Sequence, residues 1–217
     1  MAKKNKYIVK ILNLTKKFEE ETVLDDVTIS FERGKIHGII GRNGSGKTMM
    51  FKMICGFIPP SDGEIYVNDK ILGKDTDIPD NLGAIIESPG FLPNYDGFHN
   101  LKFLAAIRGK ISDEQVREAI KTVGLDPDSK KHVGKYSLGM RQRLGIAQVI
   151  MEDPELIILD EPFNALDISG VEEMRNLFLS LKEKGKTILI ASHSKEDVDF
   201  LCDTVIRMDK GKIIERI

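Results

Sequence analysis

The sequence predicts an α/β fold with a mainly parallel sheet, on the strength of three observations. Short apolar runs typical of buried strands, such as IHGII at 36–40 and LIIL at 156–159, recur along the chain. Stretches of helical periodicity separate many of them. Hydrophobic residues make up 41% of the 217 residues, which suffices for a sizeable core. Alternating strands and helices favour parallel pairing with helices on both faces of the sheet.

The first ninety residues are expected to be rich in strands. The runs YIVKIL, VTISF and IHGII predict three strands, with an antiparallel N-terminal part. A helix from Gly46 to about Gly56 follows, and PPSDG ends it. GEIYVN and GAIIE predict two further short strands.

Helical periodicity dominates residues 91–151. It predicts helices in HNLKFLAAIRG, in SDEQVREAIKTVGL with Ser112 as the cap, and in SLGMRQRLGIAQVIME. Strands return in ELIILDEP, KTILIASH and TVIRMDKGKIIER, with helices at about 169–184 and 195–202. We therefore predict one domain over 1–217, with 1–90 and 152–217 as its core and 91–151 as a helical subdomain.

Composition excludes several classes of protein. Lys and Arg total 32 against 34 Asp and Glu, so net charge gives no argument for nucleic acid as a partner. Cys55 and Cys202 lack paired spacing, which fits a reducing compartment and two small buried apolar side chains. The apolar runs are too short to cross a bilayer, and Lys10 interrupts the N-terminal one, so we expect a cytoplasmic protein without a signal peptide.

The strongest motif is GRNGSGKT at 41–48, the phosphate loop. It follows a predicted buried strand and precedes a predicted helix, which is the arrangement that binds nucleotide phosphates. Backbone N–H groups of the loop and the helix dipole would hold the phosphates, with Lys47 on the β and γ phosphates and Thr48 on Mg²⁺. In this context a glycine-rich turn with a solvated Lys47 is a poor alternative. The expected nucleotide-binding residues here are Gly41, Arg42, Asn43, Gly44, Ser45, Gly46, Lys47, Thr48 and Met49.

Two carboxylates end the apolar run LIILDEP. Asp160 is expected to hold Mg²⁺ through its water shell, and Glu161 to polarise a water for attack on the γ-phosphate. Without the phosphate loop, a charged turn before Pro162 would be the better explanation. His193 ends KTILIASH at the same edge of the sheet, where a neutral imidazole could donate a hydrogen bond to the γ-phosphate. A structural role for that histidine is the alternative.

A phosphate loop alone does not name a reaction, because kinases, GTPases and transport ATPases all use one. A small-molecule kinase leaves the segment YSLGMRQR at 136–143 without a role. A nucleotide-sensing module without turnover is the other alternative, although every hydrolytic position is filled.

The order and spacing of these motifs resemble the ATP-binding subunits of ABC transporters over nearly the whole chain. The resemblance rests on the phosphate loop, SLGMRQR at 137–143 (the signature segment), LIILDEP, NALD and SH. Within that family, IIESPGFLPNYDGFHNL and YSLGMRQRLGIA resemble the subunits that serve bacitracin-type and lantibiotic-type peptide export. The resemblance implies the fold of phosphate-loop (P-loop) NTPases and Mg²⁺-dependent ATP hydrolysis.

It also implies a dimer that closes on two ATP molecules, formed with a second copy or a paralogue. Ser137 and Gly139 of one chain would contact the γ-phosphate bound by the other, and Phe18 would stack on adenine unless it belongs to the core. The dimer would drive a separate membrane subunit from the inner face of the cell membrane. The cargo would be a peptide antibiotic or similar hydrophobic substrate; another cargo or a regulatory role is the alternative.

The chain departs from the commonest family pattern at two places. The signature segment has Leu138 where Gly is frequent and Met140–Arg141 where Gly-Gln is frequent. Glu87 follows the predicted strand GAII where most members carry a Gln beside the Mg²⁺ shell. A carboxylate there would strengthen cation binding or repel the γ-phosphate. Alternatively, Glu87 only ends a strand in solvent.

Overall fold

Strands and helices alternate through residues 5–217, the part of the chain that the computed structural model describes, apart from the side chain of Lys195. In chain order the strands and helices are β1 (Tyr7–Phe18), β2 (Glu21–Glu32), β3 (Ile36–Ile40), α1 (Lys47–Ile54), β4 (Asp62–Val67), β5 (Lys70–Ile71), β6 (Leu82–Ile85), α2 (Gly97–Arg108), α3 (Asp113–Thr122), α4 (Leu138–Ile150), β7 (Leu156–Asp160), α5 (Ile168–Glu183), β8 (Thr187–Ser192), α6 (Lys195–Leu201), β9 (Thr204–Asp209) and β10 (Lys212–Arg216).

The larger sheet is mainly parallel, as predicted. Its strand order is β10-β9-β3-β8-β7-β6, and only the β9–β10 pair is antiparallel. All residues of β7 and β8 are buried, which is why their sequences are almost continuously apolar. The carboxyl ends of β3, β6, β7 and β8 meet at one edge of the sheet, so the segments that follow these strands are brought together.

The predicted antiparallel part is a second sheet of order β2-β1-β4-β5. Gly63 is required where β4 pairs with β1, because its φ is 88° and a Cβ there would lie 2.5 Å from the carbonyl oxygens of Leu12 and Asn13. This sheet shares a hydrophobic cluster with α1 and the larger sheet. The cluster thereby fixes α1, and with it the phosphate loop, between the two sheets.

Side-chain caps begin the three helices of the 97–150 region. Asp96 accepts from the His99 N–H, and Ser137 from the Met140 N–H at 3.1 Å. Ser112 forms a full capping box with Gln115, which confirms the predicted cap. Buried residues of these helices join the core of the parallel sheet. The division into core and helical subdomain stays a prediction.

The sequence patterns missed a few local features. The two-residue strand β5 was not predicted, and β1 and β2 are longer than their apolar runs. Cys55 is buried as expected, but Cys202 is only half-buried. Burial raises the pKa of both thiols to about 12, so they remain protonated.

Candidate functional site

A cavity of about 760 Å³ lies at the carboxyl edge of the parallel sheet. It is lined by the phosphate loop and the start of α1, the end of β7, the segment after β6 and the first turn of α4. The lining residues are Val23, Asn43, Gly44, Ser45, Gly46, Lys47, Thr48, Met49, Lys52, Glu87, Ser88, Pro89, Leu138, Arg141, Gln142, Asp160, Glu161, Asn164 and Ala165. Seven of the nine residues predicted from the loop motif therefore face one space.

The phosphate loop is held in shape by its glycines and by Lys47. Gly46 has φ 101°, and a Cβ at Gly41 would lie 2.5 Å from the Ser45 hydroxyl oxygen. Lys47 is buried and donates from Nζ to the carbonyl oxygens of Gly41 at 2.7 Å and Arg42 at 3.3 Å. Gly41 and Arg42 thus serve the site through their backbone. The loop leads directly into α1, whose N-terminus favours an anion.

The pair predicted to hold Mg²⁺ is assembled. The Thr48 hydroxyl donates to the Asp160 carboxylate at 2.7 Å, and Asp160 is buried. The described residues contain no group of three or more His, Cys, Asp or Glu side chains able to hold a metal. One hydroxyl and one carboxylate still suit Mg²⁺, because this ion takes most of its ligands from water and substrate phosphates.

Glu161 and His193 lie in direct contact. Oε2 of Glu161 is 2.8 Å from Nδ1 of His193 and also accepts from the His193 backbone N–H at 3.4 Å. An ionised carboxylate can only accept, so Nδ1 carries the proton in this contact. A neutral His193 then has no proton on Nε2. In this side-chain position the Nδ1 proton is used by Glu161, and the expected hydrogen bond from His193 to the γ-phosphate stays a prediction.

Three residues of the cavity have left-handed backbone conformations that non-glycine residues rarely adopt. They are Glu87 with φ 64°, Glu161 with φ 52° and Ala165 with φ 66°. Such residues cost free energy and concentrate at functional sites, where the fold holds them in place. Their shared location supports the assignment of this cavity as the functional site.

Glu87 is paired with a cation that sequence analysis overlooked. Lys52 Nζ lies 2.7 Å from Glu87 Oε1, and both side chains line the cavity. Glu87 therefore makes an ion pair at the cavity while its side chain remains 65% exposed, and its predicted effect on the metal and the γ-phosphate stays a prediction. The signal was available, because Lys52 follows Thr48 by four residues and so lies one turn along the same helix face.

The signature segment lines the cavity and packs against the loop that follows β7. Ser137 is exposed and caps α4, while Leu138 and Arg141 line the cavity. Gly139 approaches the chain's own 161–167 loop so closely that a Cβ would lie 2.8 Å from the Ala165 carbonyl oxygen. Packing within this chain thus explains the glycine, and the contacts of Ser137 and Gly139 with a partner's nucleotide stay a prediction.

Phe18 stands apart from the cavity lining. Its side chain is 44% exposed, so the alternative of a core role is wrong. Lys16 Nζ lies 4.8 Å from the centre of the Phe18 ring and donates to the Pro59 carbonyl oxygen. The ring is available for stacking, and adenine binding stays a prediction.

Other lining residues have no sequence signal of their own. Val23 reaches the cavity from β2, and Gln142 donates to the Pro162 carbonyl oxygen at 3.1 Å. Both positions depend on tertiary packing.

Asp167, outside the cavity lining, caps α5 by accepting from the Gly170 N–H at 3.0 Å. No helix within residues 5–217 combines the length and apolar character needed to cross a bilayer.

Three curated proteins are similar over most of their length. The ABC transporter ATP-binding protein YybJ of Bacillus subtilis, described as uncharacterized, is 45% identical over 95% of this chain and 94% of its own. The bacitracin transport ATP-binding protein BcrA of Enterococcus faecalis is 40% identical over 97% of this chain and 69% of its own. The lantibiotic transport ATP-binding protein SrtF of Streptococcus pyogenes is 36% identical over 95% of this chain and 89% of its own.

A solved structure confirms the fold. A dimeric ATP-binding cassette bound to ADP and Pi superposes with a TM-score of 0.86 over 96% of this chain and 97% of its own, at 24% identity. The family model described as ABC transporter matches residues 24–164. The phosphate loop, the Thr48–Asp160 pair and Glu161 all fall within that match. The chain therefore belongs to the ABC transporter family, as an ATP-binding subunit that resembles those of bacitracin and lantibiotic transport.

Proposed function

We propose that this chain binds and hydrolyses ATP with Mg²⁺, closes as a dimer on two ATP molecules, and drives a separate membrane subunit. The observation that carries the proposal is the convergence of three groups on one cavity: the phosphate loop, the Thr48–Asp160 pair and Glu161, which His193 contacts from outside the cavity lining. They supply phosphate binding, metal binding and a base in one place. A location at the inner face of the cell membrane follows from the membrane partner.

Each residue of the site has a separate role in the proposed reaction. Lys47 would exchange the carbonyl oxygens of Gly41 and Arg42 for phosphate oxygens. Thr48 and Asp160 would hold Mg²⁺, which supplies charge neutralisation at the transferred phosphoryl group. Glu161 orients a water and accepts its proton. His193, through Nδ1, fixes the Glu161 carboxylate in the orientation that this step needs.

Dimer closure would account for two exposed apolar side chains at helix starts. Leu138 at the start of α4 is 71% exposed, and Ile168 at the start of α5 is 84% exposed. A second subunit that placed its Ser137 and Gly139 against this chain's ATP would cover apolar side chains of this kind. Each site would then be complete only in the closed dimer, so an isolated monomer should hydrolyse ATP slowly.

The names of BcrA and SrtF support a peptide antibiotic as the cargo. Cargo selection lies outside this chain, so another cargo or a regulatory role is the alternative. Apolar side chains near α2 support a membrane partner. Leu92, Tyr95, Phe103 and Ile107 are all more than 40% exposed, whereas Phe98 of the same region is buried.

Product analysis tests the reaction. We expect free phosphate as the product, and we expect Lys47→Ala to abolish its release and to weaken ATP binding at least about tenfold, because one charge-assisted contact is lost. Lys17→Ala, an exposed substitution in β1, is the matched control. A phosphorylated acceptor would instead indicate a kinase, and tight binding without turnover would indicate a nucleotide sensor.

A further inference from the structure

We propose that Lys52 is a positioning residue that neutralises Glu87 beside the triphosphate, so that this chain tolerates a carboxylate there. The pair would set how strongly nucleotide affinity depends on Mg²⁺. The inference rests on the proposed ATP binding and adds a residue that the phosphate-loop motif does not contain.

The geometry ties Lys52 to the phosphate site. It lies on α1 one turn after Thr48, and its Nζ is 2.7 Å from Glu87 Oε1. The side chain of Lys52 is 28% exposed, and Lys52 belongs to the last turn of α1, where the helix dipole favours a cation. Glu87, whose backbone is left-handed with φ 64°, lines the same cavity.

The charges of the cavity explain why the pair matters. The charged lining residues in the described part of the chain are three cations, Lys47, Lys52 and Arg141, and three carboxylates, Glu87, Asp160 and Glu161. Removing Lys52 alone leaves an excess carboxylate where a polyanion must bind. Removing Glu87 alone leaves an excess cation. Lys52 and Glu87 should therefore act in opposite directions on nucleotide affinity, and their effects should cancel when both are removed.

The size of the effect depends on the metal. Mg²⁺ bound with the nucleotide cancels part of the phosphate charge and gives the Glu87 carboxylate a second cation to face. The penalty of losing Lys52 is therefore largest without Mg²⁺ and shrinks when Mg²⁺ is present. Salt should weaken the effect as well, because both side chains reach solvent.

The test measures the affinity of the full chain for fluorescent mant-ATP, in EDTA and in saturating Mg²⁺. In EDTA at about 0.15 M salt we expect Lys52→Met to weaken binding about threefold and Glu87→Gln to strengthen it about threefold. The double variant should return to the affinity of the unchanged chain. At about 0.01 M salt the single effects should grow to about tenfold or more. Saturating Mg²⁺ should reduce the effects of Lys52→Met and of Glu87→Gln on mant-ATP affinity.

Two further variants separate electrostatics from damage to the fold. Lys52→Arg keeps the charge and should bind like the unchanged chain. Lys70→Met breaks a surface pair of similar length, 3.0 Å to Asp80, outside the cavity, and should have no effect. Equal affinities for Lys52→Met and the unchanged chain in EDTA, or a double variant as weak as Lys52→Met, would overturn the proposal. If the unchanged chain binds no mant-ATP even with Mg²⁺, the proposed function itself fails.

Discussion

Glu161→Gln is expected to lower phosphate release at saturating ATP by at least about 100-fold while leaving ATP affinity unchanged. Glutamine has the shape of glutamate and still offers an oxygen to His193 Nδ1, which lies 2.8 Å from Glu161 Oε2. It cannot accept a proton from water at neutral pH. Phosphate binding depends on the loop and on Lys47, so binding and turnover should separate in this variant.

The same substitution should accumulate the ATP-bound dimer, because hydrolysis reopens the dimer in the proposed mechanism. Gel filtration with ATP and Mg²⁺ measures this directly. Glu173→Gln is the matched control, because it makes the same chemical change on α5. Glu173 pairs with Arg143 at a distance of 2.6 Å, and neither residue lines the cavity. Rapid turnover by Glu161→Gln would refute the assignment of Glu161 as the base.

The architecture could be predicted because its determinants are local. Buried parallel strands leave continuous apolar runs, as in β7 and β8, and helix starts leave capping residues, as at Ser112. The strand β5 could not be predicted, because two residues carry no periodicity. The full lengths of β1 and β2 were also missed, since their ends are polar and pair at the protein surface.

The site was predictable to the extent that a motif fixes its backbone. The phosphate loop and Asp160 meet because parallel strands end at one edge of the sheet. The proton assignment of His193 was not predictable, since it depends on which acceptor Nδ1 meets. The ion pair between Lys52 and Glu87 was not predictable either, because the two residues are 35 positions apart in the sequence. Only the four-residue spacing from Thr48 could have suggested Lys52.

Ser137→Arg is the second substitution with a large expected effect. We expect it to spare ATP binding by the monomer and to abolish both dimer closure and phosphate release. The Ser137 side chain is exposed at the start of α4 and lies outside the cavity lining, so a long side chain there can extend into solvent in the monomer. In the proposed closed dimer the same position faces the partner's γ-phosphate, which leaves no space for an arginine.

Loss of the α4 cap must be separated from loss of closure. Ser137 accepts from the Met140 N–H at 3.1 Å, and removing such a cap costs about 1 kcal/mol. Ser112→Arg removes the equivalent cap of α3, where Ser112 accepts from the Gln115 N–H, so it should show a similar fall in Tm with full turnover. Closure is measured in the Glu161→Gln background, where the added Ser137→Arg should hold the chain monomeric with ATP. If Ser137→Arg instead abolishes ATP binding by the monomer, the segment serves its own nucleotide, because Leu138 and Arg141 already line that cavity.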